Sequence, residues 1–72
     1  MIFGNRIREL REKQGLLLRE VAALLSIDTA TISKIERGNR PAKKQQLPIL
    51  AEVLKTELKD LETLWLADKL YG

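Results

Sequence analysis

The stretch IDTATISKIERGNR, running from Ile27 to Arg40, decides how this chain is organised. Asp28 can accept hydrogen bonds from the free amides of a first helical turn, so it reads as an N-cap. Ile27 before it and Ile32 after it fit a hydrophobic staple. Gly38 supplies a left-handed stop. The spacing predicts a helix of about nine residues, Thr29 to Arg37, with Ile32 and Ile35 facing inward. Its outward face would carry Thr29, Ala30, Ser33, Lys34 and Arg37. These are small or flexible side chains, which suits a helix that something must approach closely.

Helical periodicity continues on both sides of this stretch. It is cut by short punctuation at Gly15, at Ser26 to Asp28, from Gly38 to Lys43 and from Lys55 to Glu57. No strand pattern, internal repeat or low-complexity segment intervenes. The first helical segment, about Phe3 to Lys13, aligns Phe3, Ile7 and Leu10 on one stripe. The second, about Leu18 to Leu25, offers Val21, Leu24 and Leu25 to a core. Ala22, between them, is small enough to let another helix cross nearby. The fourth, about Gln45 to Leu54, offers Leu47, Leu50, Ala51 and Leu54, and Pro48 is tolerable in its first turn. The fifth, about Leu58 to Tyr71, is the most apolar. Leu61, Leu64 and Trp65 can face the core, while Leu66 and Leu70 continue the apolar surface beyond what a small bundle needs. The expected fold is one all-α domain of five helices spanning residues 1–72.

At 72 residues, such a domain buries only about 60% of the surface its unfolded chain exposes, so its stability is expected to be marginal. The chain has no cysteine and no histidine. Disulfides, thiolate or imidazole metal sites and Ser-His or Cys-His catalysis are thereby excluded. No paired carboxylates sit on an apolar stripe and no glycine-rich phosphate loop occurs, so neither enzyme activity nor a cofactor is expected. No run approaches the roughly 18 apolar residues of a membrane span, and the first residues lack a secretory h-region. A cytoplasmic protein without membrane association is the expectation. The net charge of +3 is uneven. Residues 1–44 hold 10 Lys/Arg against 5 Asp/Glu, or +5, and residues 45–72 hold 3 against 5, or −2. A basic half facing a polyanion would produce that split, as would an unevenly decorated solvated surface.

Two short helices joined by a three-residue turn, with Ala22 in the first and Ile32 and Ile35 in the second, form a helix-turn-helix. The chain resembles the lambda-repressor/Cro-like (Xre) helix-turn-helix family. The resemblance is carried by IRELREKQGL at Ile7–Leu16, REVAALLSI at Arg19–Ile27 and, most specifically, TISKIERG at Thr31–Gly38. LPILAEVL at Leu47–Leu54 and the pair Leu58 and Leu61 match the family's last two helices. It implies a lambda-repressor-like DNA-binding domain whose helix-turn-helix spans about residues 18–37.

The resemblance further implies double-stranded DNA as partner, with Thr29, Ala30 and Lys34 at base edges and Ser33 nearby. Thr29 and Ala30 can meet a thymine methyl, and Lys34 can donate to guanine O6 and N7. That is a thin reading set, so DNA shape is expected to share in specificity. Thr31 corresponds to a family hydroxyl that contacts phosphate. Arg37, Arg40, Lys43 and Lys44 cluster beyond the recognition helix, and Arg19 stands at the start of the second helix. These are candidate phosphate contacts, against a reading as ordinary solvated charges. Arg11 and Glu36 resemble the family's internal ion pair.

Two departures from the family stand out. Leu17 and Leu18 replace the usual Ser/Thr-Gln at the second helix start, which removes a cap and a side-chain phosphate contact and leaves only backbone amides to meet phosphate there. Ser26 replaces the usual Gly, at roughly 1–2 kcal/mol if the residue is left-handed. A homodimer on a near-palindromic operator is expected, with Trp65, Leu66, Leu70 and Tyr71 as interface candidates, although Trp65 can equally plug the core. The rival reading is a protein-interaction module, antitoxin-like for example, that binds a partner through Leu17, Leu18 and the fifth helix.

Overall fold

A computed structural model describes residues 2–71, and for residue 71 its backbone alone. Helix α1 (Ile2–Lys13) buries the Phe3, Ile7 and Leu10 stripe. Its own sequence offers no acidic residue in the first turn. The first amides are satisfied instead by a side chain from the far end of the chain: Ile2 N and Phe3 N donate to the two carboxylate oxygens of Asp68, at 3.2 and 2.9 Å. An anion at a helix N-terminus also interacts favourably with the helix dipole. Gly15, at φ +70°, closes the other end, where Leu16 N donates to Arg11 O at 3.0 Å.

Helix α2 (Leu18–Leu24) starts without a side-chain acceptor, because Leu17 occupies the cap position. Glu20 compensates in part by accepting from Leu17 N at 2.8 Å. Val21, Ala22 and Leu25 are buried, but Leu24 is 55% exposed and does not join the core as its spacing suggests. The burial of Ala22 explains the difference. Each residue turns the helix by roughly 100°, so a core face that includes Ala22 beside Val21 and Leu25 swings Leu24 out to its flank. The turn after α2 places Ser26 at φ 57°.

Helix α3 (Thr29–Glu36) begins as its sequence predicts, with Asp28 accepting from Thr31 N at 2.8 Å. It ends one residue before the expected limit: Arg37 is the C-cap, and Gly38 follows at φ +78°. An extended loop leads to a single 3-10 turn at Lys44–Gln46, where Gln46 accepts from Lys43 N at 2.8 Å. The fourth helix, α4 (Leu47–Val53), therefore starts two residues later than its apolar pattern suggests, with Pro48 in its first turn. Lys55 is left-handed at φ 56° before α5 (Leu58–Tyr71).

Ile7, Val21, Ile32, Leu47, Leu50, Leu54 and Leu61 are the largest fully buried side chains, so every α-helix contributes to one core. Leu64 and Trp65 pack against it while remaining partly exposed. Leu66 and Leu70 are 51% and 76% exposed. No helix among the described residues is long and apolar enough to cross a membrane.

Ser26 and Lys55 occupy left-handed positions just after helices, where glycine carries no Cβ penalty. Ser26→Gly and Lys55→Gly are each expected to stabilise the domain by about 0.5–1 kcal/mol, less than the full penalty because glycine also gains freedom in the unfolded chain. Urea unfolding of the single and double variants checks this. The two sites share no partner, so their effects should add.

Candidate nucleic-acid interface

Helix α3 has its inner face sealed. Ile32 and Ile35 are buried, and packing against α2 and α1 fixes the helix on two sides. The opposite face is open. Thr29, Ala30, Lys34 and Arg37 are exposed and Ser33 is half-buried. The exposed part near the N-terminus bears only a hydroxyl, a methyl and one flexible ammonium, so a bulky surface can approach the backbone there.

The position of α3 relative to α1 is held by charge and by close contact. Arg11 Nε donates to Glu36 Oε2 at 2.7 Å and Arg11 Nη2 to Glu36 Oε1 at 3.2 Å. The remaining arm, Nη1, donates to Leu16 O at 2.8 Å. One guanidinium thus joins α1, the turn after it and the last turn of α3. The Glu36 carboxylate, through this hydrogen bond first, holds the Arg11 pKa above its ordinary value, against a smaller opposing effect of burial. Two helical turns away, Gly4 lies against the carbonyls of Ile35 and Glu36, so closely that an added Cβ would stand 2.5 Å from both oxygens.

At the start of α3, Thr31 Oγ1 donates to Asp28 Oδ1 at 2.5 Å. The hydroxyl and then the amide of Thr31 hold the Asp28 carboxyl below the ordinary carboxylate value, and the Lys34 and Arg40 cations add to this. A hydroxyl has a single proton. In this geometry Thr31 directs it into the cap, and a phosphate contact from Thr31 requires that hydroxyl to rotate away from Asp28.

The cationic candidates divide. Arg40, Lys43 and Lys44 line one cleft beyond α3. Arg37 is exposed at the C-cap of α3, and Arg19 is exposed in the first turn of α2. The start of α2 is less open to phosphate than its sequence suggests, since Glu20 already takes the Leu17 amide and brings a negative charge there. Among the interface candidates at the other end, Trp65 is turned toward the loop, with Nε1 donating to Ala42 O at 2.7 Å. Leu66 and Leu70 point outward, and the side chain of Tyr71 lies outside the described residues. Among the described residues no group of side chains is arranged to hold a metal ion.

Sequence reasoning missed Gly4, Asp68 and Lys69. The first was visible only as a glycine inside a helical pattern, a placement that signals close approach. Asp68 carried no signal, because the amides it caps belong to the other end of the chain. The Trp65–Lys69 pair is an i,i+4 spacing on the fifth helix, but nothing in the sequence shows which distant cations it joins.

The sequence pattern of the helix-turn-helix domain family matches residues 2–64. The chain belongs to that family. This Xre-like helix-turn-helix domain is 42% identical over 60 residues to the uncharacterized HTH-type transcriptional regulator RghRB of Bacillus subtilis. That match covers 82% of the chain but 43% of the relative's length. The restriction-modification controller protein C.AhdI of Aeromonas hydrophila has a similar crystal structure, with a TM-score of 0.73 and 36% identity. The likeness covers 82% of this chain and 86% of that one.

Proposed function

We propose that this domain binds double-stranded DNA sequence-specifically, in the cytoplasm and as a homodimer, with α3 in the major groove of each half of a near-palindromic operator. The open face of Thr29, Ala30, Ser33 and Lys34 carries the reading. Small groups at the N-terminal end of a helix allow entry into a groove about 12 Å wide. Arg37, Arg40, Lys43 and Lys44 follow the C-terminal end of α3, and cations beside a groove-bound helix suit contact with the flanking backbone phosphates. Exposed Leu66 and Leu70, one turn apart on α5, support a dimer contact that includes neither the indole of Trp65 nor its hydrogen bond.

Selection from a random-sequence duplex pool at two salt concentrations, followed by sequencing, tests this. The expected result is a two-fold symmetric motif with half-sites about one helical turn apart, and an affinity that falls steeply as salt rises. Lys34→Ala should relax the preference at one base position by about 1–3 kcal/mol while leaving the rest of the motif intact. Sedimentation of a monomer at high micromolar concentration would remove the homodimer from the proposal.

A second reading rests on α2. Leu17 and Leu24 are 49% and 55% exposed and lie seven residues apart, close to one line along the helix. An apolar surface of that kind fits a protein partner. Unselective, weak binding to the duplex pool would favour it.

A further inference from the structure

Lys69 belongs by sequence to the acidic half of the chain, yet folding places it among the cations of the basic half. The open cleft of about 590 Å3 beyond α3 is lined by Arg40 and Lys43 from the loop, by Lys44 at the start of the 3-10 turn, and by Trp65 and Lys69 from α5. No carboxylate lines this cleft, and none of its four cations forms an ion pair among the described residues. The nearest acid along α5, Asp68, faces the adjoining hollow and is occupied by the amides of Ile2 and Phe3. Asp28, whose carboxyl feels Arg40, is engaged by Thr31.

Two contacts give the cleft its form. Trp65 Nε1 holds Ala42 O at 2.7 Å, which pins the loop between Arg40 and Lys43 to α5. Lys69 Nζ lies 4.1 Å from the centroid of the same indole ring. A ring face orients an ammonium while leaving its hydrogen-bond donors unspent. Four unpaired cations around one cleft, two of them beside a loop fastened to an aromatic floor, are suited to an anion with several acceptor oxygens.

The geometry points to this cleft as a phosphodiester site, in which Lys69 of α5 joins Arg40, Lys43 and Lys44 in gripping the DNA backbone and Trp65 positions both the loop and the lysine. The inference rests on the DNA-binding reading and adds the fifth helix to the DNA-contacting surface. Trp65 serves as a positioning residue, since its polar atom is committed to Ala42.

The test compares the intact chain with Lys69→Gln and Lys69→Arg in titrations of one duplex over a range of salt concentrations. Losing one phosphate contact should lower the slope of log affinity against log salt by about 0.9, which corresponds to about eightfold weaker binding near 0.1 M salt. The loss should be the same for every duplex sequence, and Lys69→Arg should retain the original slope. Lys69→Gln with an unchanged slope, alongside normal duplex binding by the intact chain, overturns the inference and leaves the DNA reading standing. An intact chain that binds no duplex overturns both. The chain has one tryptophan, so Trp65 emission provides an independent readout. Emission should change on adding duplex and not on adding inorganic phosphate at matched charge concentration. The reverse result would assign the cleft to a free anion and overturn the DNA assignment.

Discussion

Glu36→Ala is expected to lower the melting midpoint by roughly 15 °C. Removing one partner of a buried ion pair costs about 3–5 kcal/mol, because the remaining charge stays buried without its counter-ion. The Arg11 and Glu36 side chains are only 12% and 6% exposed, so water cannot easily replace the carboxylate. The lower end of that range is appropriate because Arg11 keeps its bond to Leu16 O. A domain of this length has a total stability of about 4–11 kcal/mol at 0.05–0.15 kcal/mol per residue. Each kcal/mol moves the midpoint by roughly 4–8 °C at this size. Circular dichroism during heating measures the change.

A double-mutant cycle separates the pair from the bulk of its atoms. Arg11→Ala with Glu36→Ala should cost less than the sum of the two single changes, by more than about 1 kcal/mol, since the double variant leaves no uncompensated charge. Arg11→Lys should fall short of rescue, because an ammonium cannot supply the parallel pair of bonds to Glu36 while also reaching Leu16. The charge of Arg11 persists through neutral pH: the Glu36 hydrogen bond raises its pKa above the ordinary guanidinium value, so the pair's contribution is full below the unfolded value and is lost only as pH rises through the folded one. Strictly additive single changes would reduce the pair to packing.

Gly4→Ala is expected to lower the midpoint by roughly 10 °C, although alanine ordinarily improves a helix by about 1 kcal/mol over glycine. The new Cβ would stand 2.5 Å from the carbonyl oxygens of Ile35 and Glu36. These are backbone atoms and cannot rotate aside as a flexible side chain can. Overpacking costs typically 1–3 kcal/mol, and rigid neighbours favour the upper end, for a net loss of about 2 kcal/mol after the helix gain. The added methyl would push the C-terminal turn of α3 away from α1, so the Arg11–Glu36 bonds should loosen with it. Gly15→Ala provides the contrast. Nothing lies within 4 Å of a Cβ there, but the residue sits at φ +70°, so its cost is conformational and about 1 kcal/mol. A Gly4→Ala variant as stable as the parent would show that α1 and α3 can separate freely and that close contact at Gly4 does not hold α3.

The local signals of α3 were legible because they act over a few residues. Asp28 caps the helix whose first amides it adjoins, and Gly38 takes the left-handed turn that ends it. The core stripes of α1, α4 and α5 likewise follow from helical periodicity alone, since any packed arrangement must bury them. Ser26 is left-handed where the family pattern has glycine, so even the strained turn could be read from the residue that departs.

What remained hidden depends on partners distant in sequence. Leu24 and Leu25 look alike to a period of 3.6, and only the packing that buries Ala22 determines which of them is buried. Gly4 resembles a weak point in a helix until the carbonyls of α3 are set against it. Asp68 caps a helix that begins 66 residues earlier, and Lys69 joins cations from which its own neighbourhood in sequence would separate it. Sequence alone therefore determined the helices, the cap and stop of α3, the core stripes of α1, α4 and α5 and the family to which they belong, because these are set by steric and hydrogen-bonding preferences local to each segment. Tertiary structure decided how α3 is clamped and which cations share its surface, because charge and close contact act through space and take no account of chain order.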